Sequence, residues 1–529
     1  MNNLIVRKQR LWGIIYYVLL VGTFVFLSLF LRTRIWYLLD SDMSSEMILA
    51  KQLNEEHAVF AKGWYYATEL RLLYMPQVFR ILFCFTDYWH FVRVYSTIII
   101  YGILLVSACF LAKKLKLGQT WTVLGIAVLT PLSMVYGEYV LICPYYVPCI
   151  AISFAALAMV LKYEDSKADM RIRVAIPSAC LAFASSLIGP RQIVMFYFPA
   201  MTSAALILLS DIISKRKNIK ESIFSPLFTI SSINILSAGL AYLINLFILP
   251  EMYYYVHWTQ IKLIGFSLRR SLNALGGLVN ILGFRREFSA VGVVTDICVI
   301  AVVAAYLFFM AFALINRSKI SHGYYLISLY SVCAIMVFVL LYGLTDMVYY
   351  DLYGVPIAIF AFPVILTGIH ELIDSPICAS ILPLILSGLM ILTGSFNYSE
   401  MSAIDKTSEQ REVAAFLSEN GYYNGYATFW NANVLTELSN GQIDVYSWDN
   451  SMMMPYVENV NDIHKWLQKT SHSTEIPRGK IFNIYSYDDI YNCRWKDKLR
   501  DEDILMKTRN LVVYGYGSYE EMNIIFSDQ

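Results

Sequence analysis

The run "LWGIIYYVLLVGTFVFLSLFL", Leu11 to Leu31, carries no charged residue over 21 positions. A helix of that length crosses the roughly 30 Å of hydrocarbon in a bilayer, and little else can be built from such a segment. Further runs of the same kind lie near 94–112, 121–136, 145–161, 174–189, 192–213, 226–249, 291–314, 324–343, 352–369 and 377–394. The first is too long for a signal-peptide core and is followed by no small-residue cleavage pattern, so it reads as retained. Composition points the same way. Of 529 residues, 57% are hydrophobic and 15% charged, where soluble domains carry about a quarter charged residues. The expectation is an α-helical polytopic membrane protein of about 11 transmembrane helices.

Lys and Arg resist translocation, so their placement in short loops predicts orientation. They cluster at Arg7, Lys8 and Arg10, at Lys113, Lys114 and Lys116, at Lys162, Lys167, Arg171 and Arg173, at Lys215, Arg216, Lys217 and Lys220, and at Arg317 and Lys319. One threading puts all five groups in the cytoplasm. The intervening short loops "GEYVLICP" and "LTDMVYYD" have no Lys or Arg, and the loop around "GPRQ" has only Arg191. The N-terminus is then cytoplasmic, and three larger pieces face outward: a loop at 32–93, a loop at 250–290 and the tail from 395. The domains expected are a transmembrane part at 1–394 and a soluble extracytoplasmic α/β domain at 395–529.

The tail alternates strand-like runs ("GYATF", "QIDVYSW", "KIFNIYSY", "NLVVYGYG") with helix-like runs ("NANVLTELSN", "NDIHKWLQKT"), which is the pattern of a small α/β domain. Nine Cys sit mostly in apolar runs, so no disulfide framework is implied. The net charge of +1 gives no basic field for nucleic acid. No G-x-x-x-x-G-K-[ST], H-E-x-x-H, G-x-S-x-G or paired C-x-x-C occurs, which leaves ATP-driven, zincin, serine-hydrolase and zinc-ribbon chemistry without support.

Chemistry is therefore sought in the outer pieces. "LLDSDMSSEMILAKQL" places Asp40, Asp42 and Glu46 just beyond the first span. In extended chain Asp40 and Asp42 would present both carboxylates to one side. Met43, Met47, Ala50 and Leu53 recur at helical spacing, so a helix follows, with Asp42 expected as its N-cap and Asp40 as the acid left for chemistry. The bland alternative, a cap plus a solvated carboxylate, fits the spacing equally well. In 250–290, Ile261, Ile264, Leu268, Leu272 and Leu275 predict one face of a helix lying in the membrane interface, with Arg269 and Arg270 at headgroup level among membrane lipids. Arg191, Glu69, Arg71, Glu138 and Asp351 also fall in outer regions. Each is a candidate for binding substrate, and each has a structural alternative as a local ion pair or a snorkelling helix end.

The layout resembles the GT-C class of membrane glycosyltransferases: a first span, a long outer loop opening on an acidic motif, alternating short inside loops and a soluble outer C-terminal domain. "LDSDMSSE" occupies the place of that class's acidic motif, and "WYYATELRLL", "TDYWHFVR" and "GYATFWNANVLTELSNG" look like segments of uncharacterised bacterial proteins grouped with these enzymes. The resemblance implies a hexosyl- or pentosyltransferase that moves sugar from a polyprenyl-phosphate donor to a cell-envelope acceptor on the outer face, with Asp40 or Asp42 as base and the Arg residues near the phosphate. It implies no definite cofactor and leaves room for a divalent metal whose ligands are unknown. Two departures stand out. The acids here are spaced Asp-x-Asp, with Glu46 one turn on, and "YYDLYGVP" has Asp351 where many members have a basic residue. The rival readings are a transporter or flippase of lipid-linked glycans and a noncatalytic glycan-binding envelope protein. Transporters place charges inside spans near the midplane, and the spans here are nearly free of them.

Overall fold

The computed structural model describes residues 2–67, 69–214, 219–255, 261–448, 463–492 and 496–526. Among these, ten helices are long and apolar enough to cross a membrane, the first at Leu11–Leu38 and the ninth at Asp351–Leu372, with the tenth starting at Pro376. They coincide with ten of the eleven runs read from the sequence. The eleventh, near 121–136, is a pair of shorter helices, Gly118–Leu129 and Met134–Ile142, bent by 91° at their junction. The cause is local. Pro131 offers no N–H and pushes Thr130 out of helical geometry, to φ −102° and ψ 135°. Ser133 then caps the second piece, its hydroxyl accepting from Tyr136 N at 3.1 Å. Asn397 of the last span donates to the freed Pro131 carbonyl at 2.6 Å, so that carbonyl is satisfied inside the protein. The chain is an integral, multi-pass membrane protein. Lys215, Arg216 and Lys217 of the charge pattern lie outside the described residues.

The chain divides into two compact units, one made of Met1–Phe30, Ile98–Phe247 and Thr259–Ala403, the other of Leu31–Thr97, Ile248–Trp258 and Ile404–Gln529. The sequence reading had drawn one boundary at 394/395 and grouped the outer loops with the spans. The last span instead continues to Ala403, and most of segment 32–93, with a piece of 250–290, groups with the tail. Ladder hydrogen bonding explains the grouping: β1 (Trp64–Tyr66) pairs in parallel with β2 (Tyr254–Tyr255) and antiparallel with a short tail strand, Gln468–Lys469.

The tail is the expected α/β domain. In chain order its strands are β3 (Asn424–Thr428), β4 (Asp444–Trp448), β5 (Gln468–Lys469, the partner of β1), β6 (Ile481–Ser486), β7 (Ile504–Lys507) and β8 (Leu511–Tyr516). All but β5 form one sheet in the order β4-β3-β6-β8-β7, parallel across the first three and antiparallel beyond. Alternation sorts its faces. Ala427, Val445, Ile484 and Val513 pack on the helix Ser408–Glu419 on one side, and Tyr426, Tyr446, Tyr485 and Tyr514 form an aromatic layer on the other. One expected helix fails. The described part of "NDIHKWLQKT" is a bridge at Ile463 followed by β5, because Leu467 adopts φ +48° and the Gln468 amide bonds both the N–H and the carbonyl of Ser447 at 3.0 Å.

Candidate functional site

The acidic stretch begins helix α2 as the periodicity predicts. With α1 at Asn2–Arg34 and α2 at Ser41–Glu55, the intervening turn leaves Asp40 in extended geometry, φ −137° and ψ 177°. Met43, Met47, Ala50 and Leu53 are all fully buried, as their spacing requires. The capping assignment is reversed, however. Asp40 is the N-cap, its Oδ1 accepting from Met43 N at 2.8 Å, and Asp42 lies inside the first turn with no hydrogen bond to its side chain among the described residues. An N-cap needs the extended backbone that only the residue before the helix has, so it is the Asp42 carboxyl that capping leaves unengaged.

Around it, Glu46 is buried one turn on, and Arg71 reaches Glu46 at 3.6 Å and Glu69 at 3.8 Å while its guanidinium faces the Tyr74 ring. Asp42, Glu46 and Glu69 thus all feel the Arg71 guanidinium. Burial, and then the neighbouring Asp40, push Asp42 up to about 6, against the pull of Arg71. Burial pushes Glu46 up to about 7 although Arg71 and Arg93 oppose it. A carboxyl group near pH 6, half-buried and unbonded, is suited to take a proton.

Two residues that the sequence reading passed over hold this arrangement. Arg93, at the head of α4 (Trp89–Lys114), is fully buried and donates to both oxygens of Glu437, with Nη2 to Oε2 at 2.6 Å. The same Nη2 donates to the Met43 carbonyl at 2.9 Å, which ties the first turn of α2 to the helix Phe429–Leu438. An arginine opening an otherwise apolar run was the available signal for Arg93. Nothing in the sequence pointed from it to Glu437.

The remaining candidates belong to the other unit. The helix expected from Ile261 starts only at Leu268 and runs to Ile281, because Gly265 turns at φ +87° and Ser267 caps it, while Leu263 bridges to Thr345. Leu268, Leu272 and Leu275 are exposed, as an interfacial helix requires. Arg269 is exposed without an ion-pair partner among the described residues. Arg270 donates to the carbonyls of Tyr342, at 2.9 Å, and Met347, so its charge is held in place, with no carboxylate paired to it among the described residues. Arg191 faces the rings of Tyr146 at 5.0 Å and Tyr353 at 5.9 Å, and the charges of Arg191 and Arg270 both act on Tyr342. Asp351 accepts from Asn280 at 3.1 Å and bonds Tyr349. Glu138 lies in a π-helical turn, Gly137–Ile142, within the bent span. The site residues thus fall into an acidic group, Asp40, Asp42, Glu46, Glu69 and Arg71, and a cationic, aromatic group around Arg191, Arg270 and Tyr342. Among the described residues no group of three or more His, Cys, Asp or Glu could hold a metal ion.

No protein-family model matches the chain, and no curated protein matches its sequence. Its fold does match solved structures. ArnT from Cupriavidus metallidurans in the apo state superposes with a TM-score of 0.62 at 9% identity, over 99% of this chain and 100% of that one. The same protein bound to undecaprenyl phosphate gives 0.57 at 8% identity, over 98% and 99%. The Archaeoglobus fulgidus oligosaccharyltransferase, in complex with Zn and sulfate, gives 0.51 at 10% identity, over 88% of this chain and 67% of that one. The chain therefore has the fold of the GT-C membrane glycosyltransferases.

Proposed function

We propose that the protein is a membrane glycosyltransferase that moves a sugar from a polyprenyl-phosphate donor to a cell-envelope acceptor on the outer face, with the N-terminus cytoplasmic and the tail outside. The observation that carries this reading is Asp42: half-buried, free of hydrogen bonds to its side chain among the described residues and raised to about 6 beside Arg71. In the reaction, an acceptor hydroxyl gives its proton to the Asp42 carboxylate and its oxygen attacks the anomeric carbon. The bond from that carbon to the phosphate oxygen breaks, and the polyprenyl phosphate leaves with the electron pair. Arg191 and Arg270 supply positive charge for such a leaving group, and Arg can do so through paired N–H bonds. That ArnT was solved with undecaprenyl phosphate supports this class of donor.

The test is transfer by purified protein in proteoliposomes supplied with short-chain polyprenyl-phosphate sugars. Donor affinity should fall in Arg191→Lys, further in Arg191→Ala, and in an Arg269/Arg270 double alanine variant, with expression and location intact. Unchanged donor affinity in the Arg191→Ala and double variants would remove the proposed phosphate ligands.

A further inference from the structure

In the unit that holds the tail, the turn Ile35–Leu38, the start of α4 and the helices Ser408–Glu419 and Phe429–Leu438 line an open cavity of about 600 Å³. That is within the usual range for sites that take small ligands or short chains. It is separate from the acidic group, none of whose residues lines it.

Its walls are built and held. Trp36 stacks on His90 with ring centroids 5.3 Å apart and planes 9° from parallel, and Tyr88 leans on the same His90. The turn carrying Trp36 is clipped to the tail by Thr407 Oγ1 donating to the Trp36 carbonyl at 2.7 Å and Lys406 N to the Tyr37 carbonyl at 2.8 Å. Asn440, at φ +56°, accepts from Trp89 N at 2.7 Å through its side-chain oxygen, which leaves its NH2 to donate, and the Gln442 amide lines the same wall. Of the two lining arginines, Arg411 is spent on Asp405 through two bonds of 3.0 and 2.8 Å. Arg32 is exposed and has no carboxylate within ion-pair distance among the described residues.

Flat aromatic rings pack against the C–H faces of sugar rings, side-chain amides offer a donor and an acceptor to neighbouring hydroxyls, and an uncommitted guanidinium pairs with carboxylate or phosphate. We infer that this cavity holds the part of the acceptor remote from the reacting hydroxyl, and that this part is a glycan bearing acidic groups. The inference rests on the transferase reading for the word acceptor. The cavity itself rests on its own residues. A phospholipid headgroup shares the anionic chemistry but would leave the aromatic and amide walls without a role.

The experiment uses the full chain in nanodiscs of neutral lipid, presented to a panel of uronic-acid- and phosphate-bearing oligosaccharides and neutral ones of equal length. Acidic oligosaccharides should bind at least tenfold more tightly than neutral ones. Arg32→Gln should erase that preference, and Trp36→Ala should weaken both kinds about tenfold, with Gln442→Ala as a milder variant should Trp36→Ala fail to fold. Asp42→Asn should bind the panel as the wild type does while its transfer falls by a factor of about 100 or more. Equal binding of acidic and neutral glycans, no binding to the panel, or unaltered binding in folded Arg32→Gln and Trp36→Ala would overturn the inference. So would a signal that appears only when phosphatidylglycerol is added to the nanodisc. Panel binding as expected, with no use of any polyprenyl-phosphate sugar, would remove the transferase reading and leave the glycan site standing.

Discussion

Asp40 and Asp42 stand two positions apart and do different work, because one is outside the helix and the other inside it. The cap is spent on Met43 N–H; the first-turn acid is not. Asp42→Asn should lower turnover by a factor of about 100 or more with expression intact, whereas Asp40→Asn, which caps as well as Asp, should leave turnover largely in place. Full activity in the Asp42 variant would remove the base. The pH profile separates the two roles further. A base must be ionised, so kcat/KM should fall as the pH drops through about 6, the value to which Asp42 is raised. Asp40 contributes to that rise, so in Asp40→Asn the acidic limb should move to lower pH. Glu46, raised from 4.5 to about 7 by burial, has a sign of its own. Its folded form holds the proton longer than its unfolded form, so its contribution is fully present below pH 4.5 and is lost as the pH rises through 7. Relative to Glu46→Gln, the wild type should lose about 3 kcal/mol over that window, the energy of a shift of this size, readable in detergent as a wild-type Tm that falls relative to the variant's as the pH rises. Which aspartate caps was not legible in the sequence, since both have the right chemistry and only backbone geometry separates them.

Elements were legible wherever periodicity was strong. Ten of the eleven apolar runs became single spanning helices, and "GYATF", "QIDVYSW", "KIFNIYSY" and "NLVVYGYG" became β3, β4, β6 and β8 because their residues alternate between an aliphatic and an aromatic face. Illegible were features fixed by a distant partner. The described part of "NDIHKWLQKT" has helical composition, but β5 is claimed by β1 and by Ser447. The clamp on α2 is of the same kind, with Arg93 and Glu437 separated by 344 positions. Both side chains are buried, so removing one partner strands a charge. Arg93→Gln or Glu437→Gln should cost about 3–5 kcal/mol and should lower kcat more than donor affinity, since Met43 and the first turn of α2 lose their tether. A Tm and activity equal to wild type in both variants would show that the clamp positions nothing.

At the scale of the whole molecule, the spans were legible from hydropathy, and the make-up of the compact units was not. The orientation is testable directly: an export-dependent reporter after Gln529 should be active and a cytoplasm-only one silent, and the reverse would bring the tail inside. The units could not be read from the sequence because a strand of the first outer loop, β1, is paired with β5, some four hundred positions later. Asn433 likewise reaches the Ser41 carbonyl across 392 positions. These long separations set an order of events. The chain is made and threaded from its N-terminus, so α2 emerges early with its acids in place but without β5, Asn433 or Glu437. The groups proposed to meet the donor phosphate, Arg191 and Arg270, belong to the unit that ends at Ala403. A chain that stops after the last span should accordingly retain donor-lipid binding yet transfer nothing, even to a simple soluble acceptor. On that proposal Asp40, Asp42 and Glu46 are withheld from use until the tail has been made.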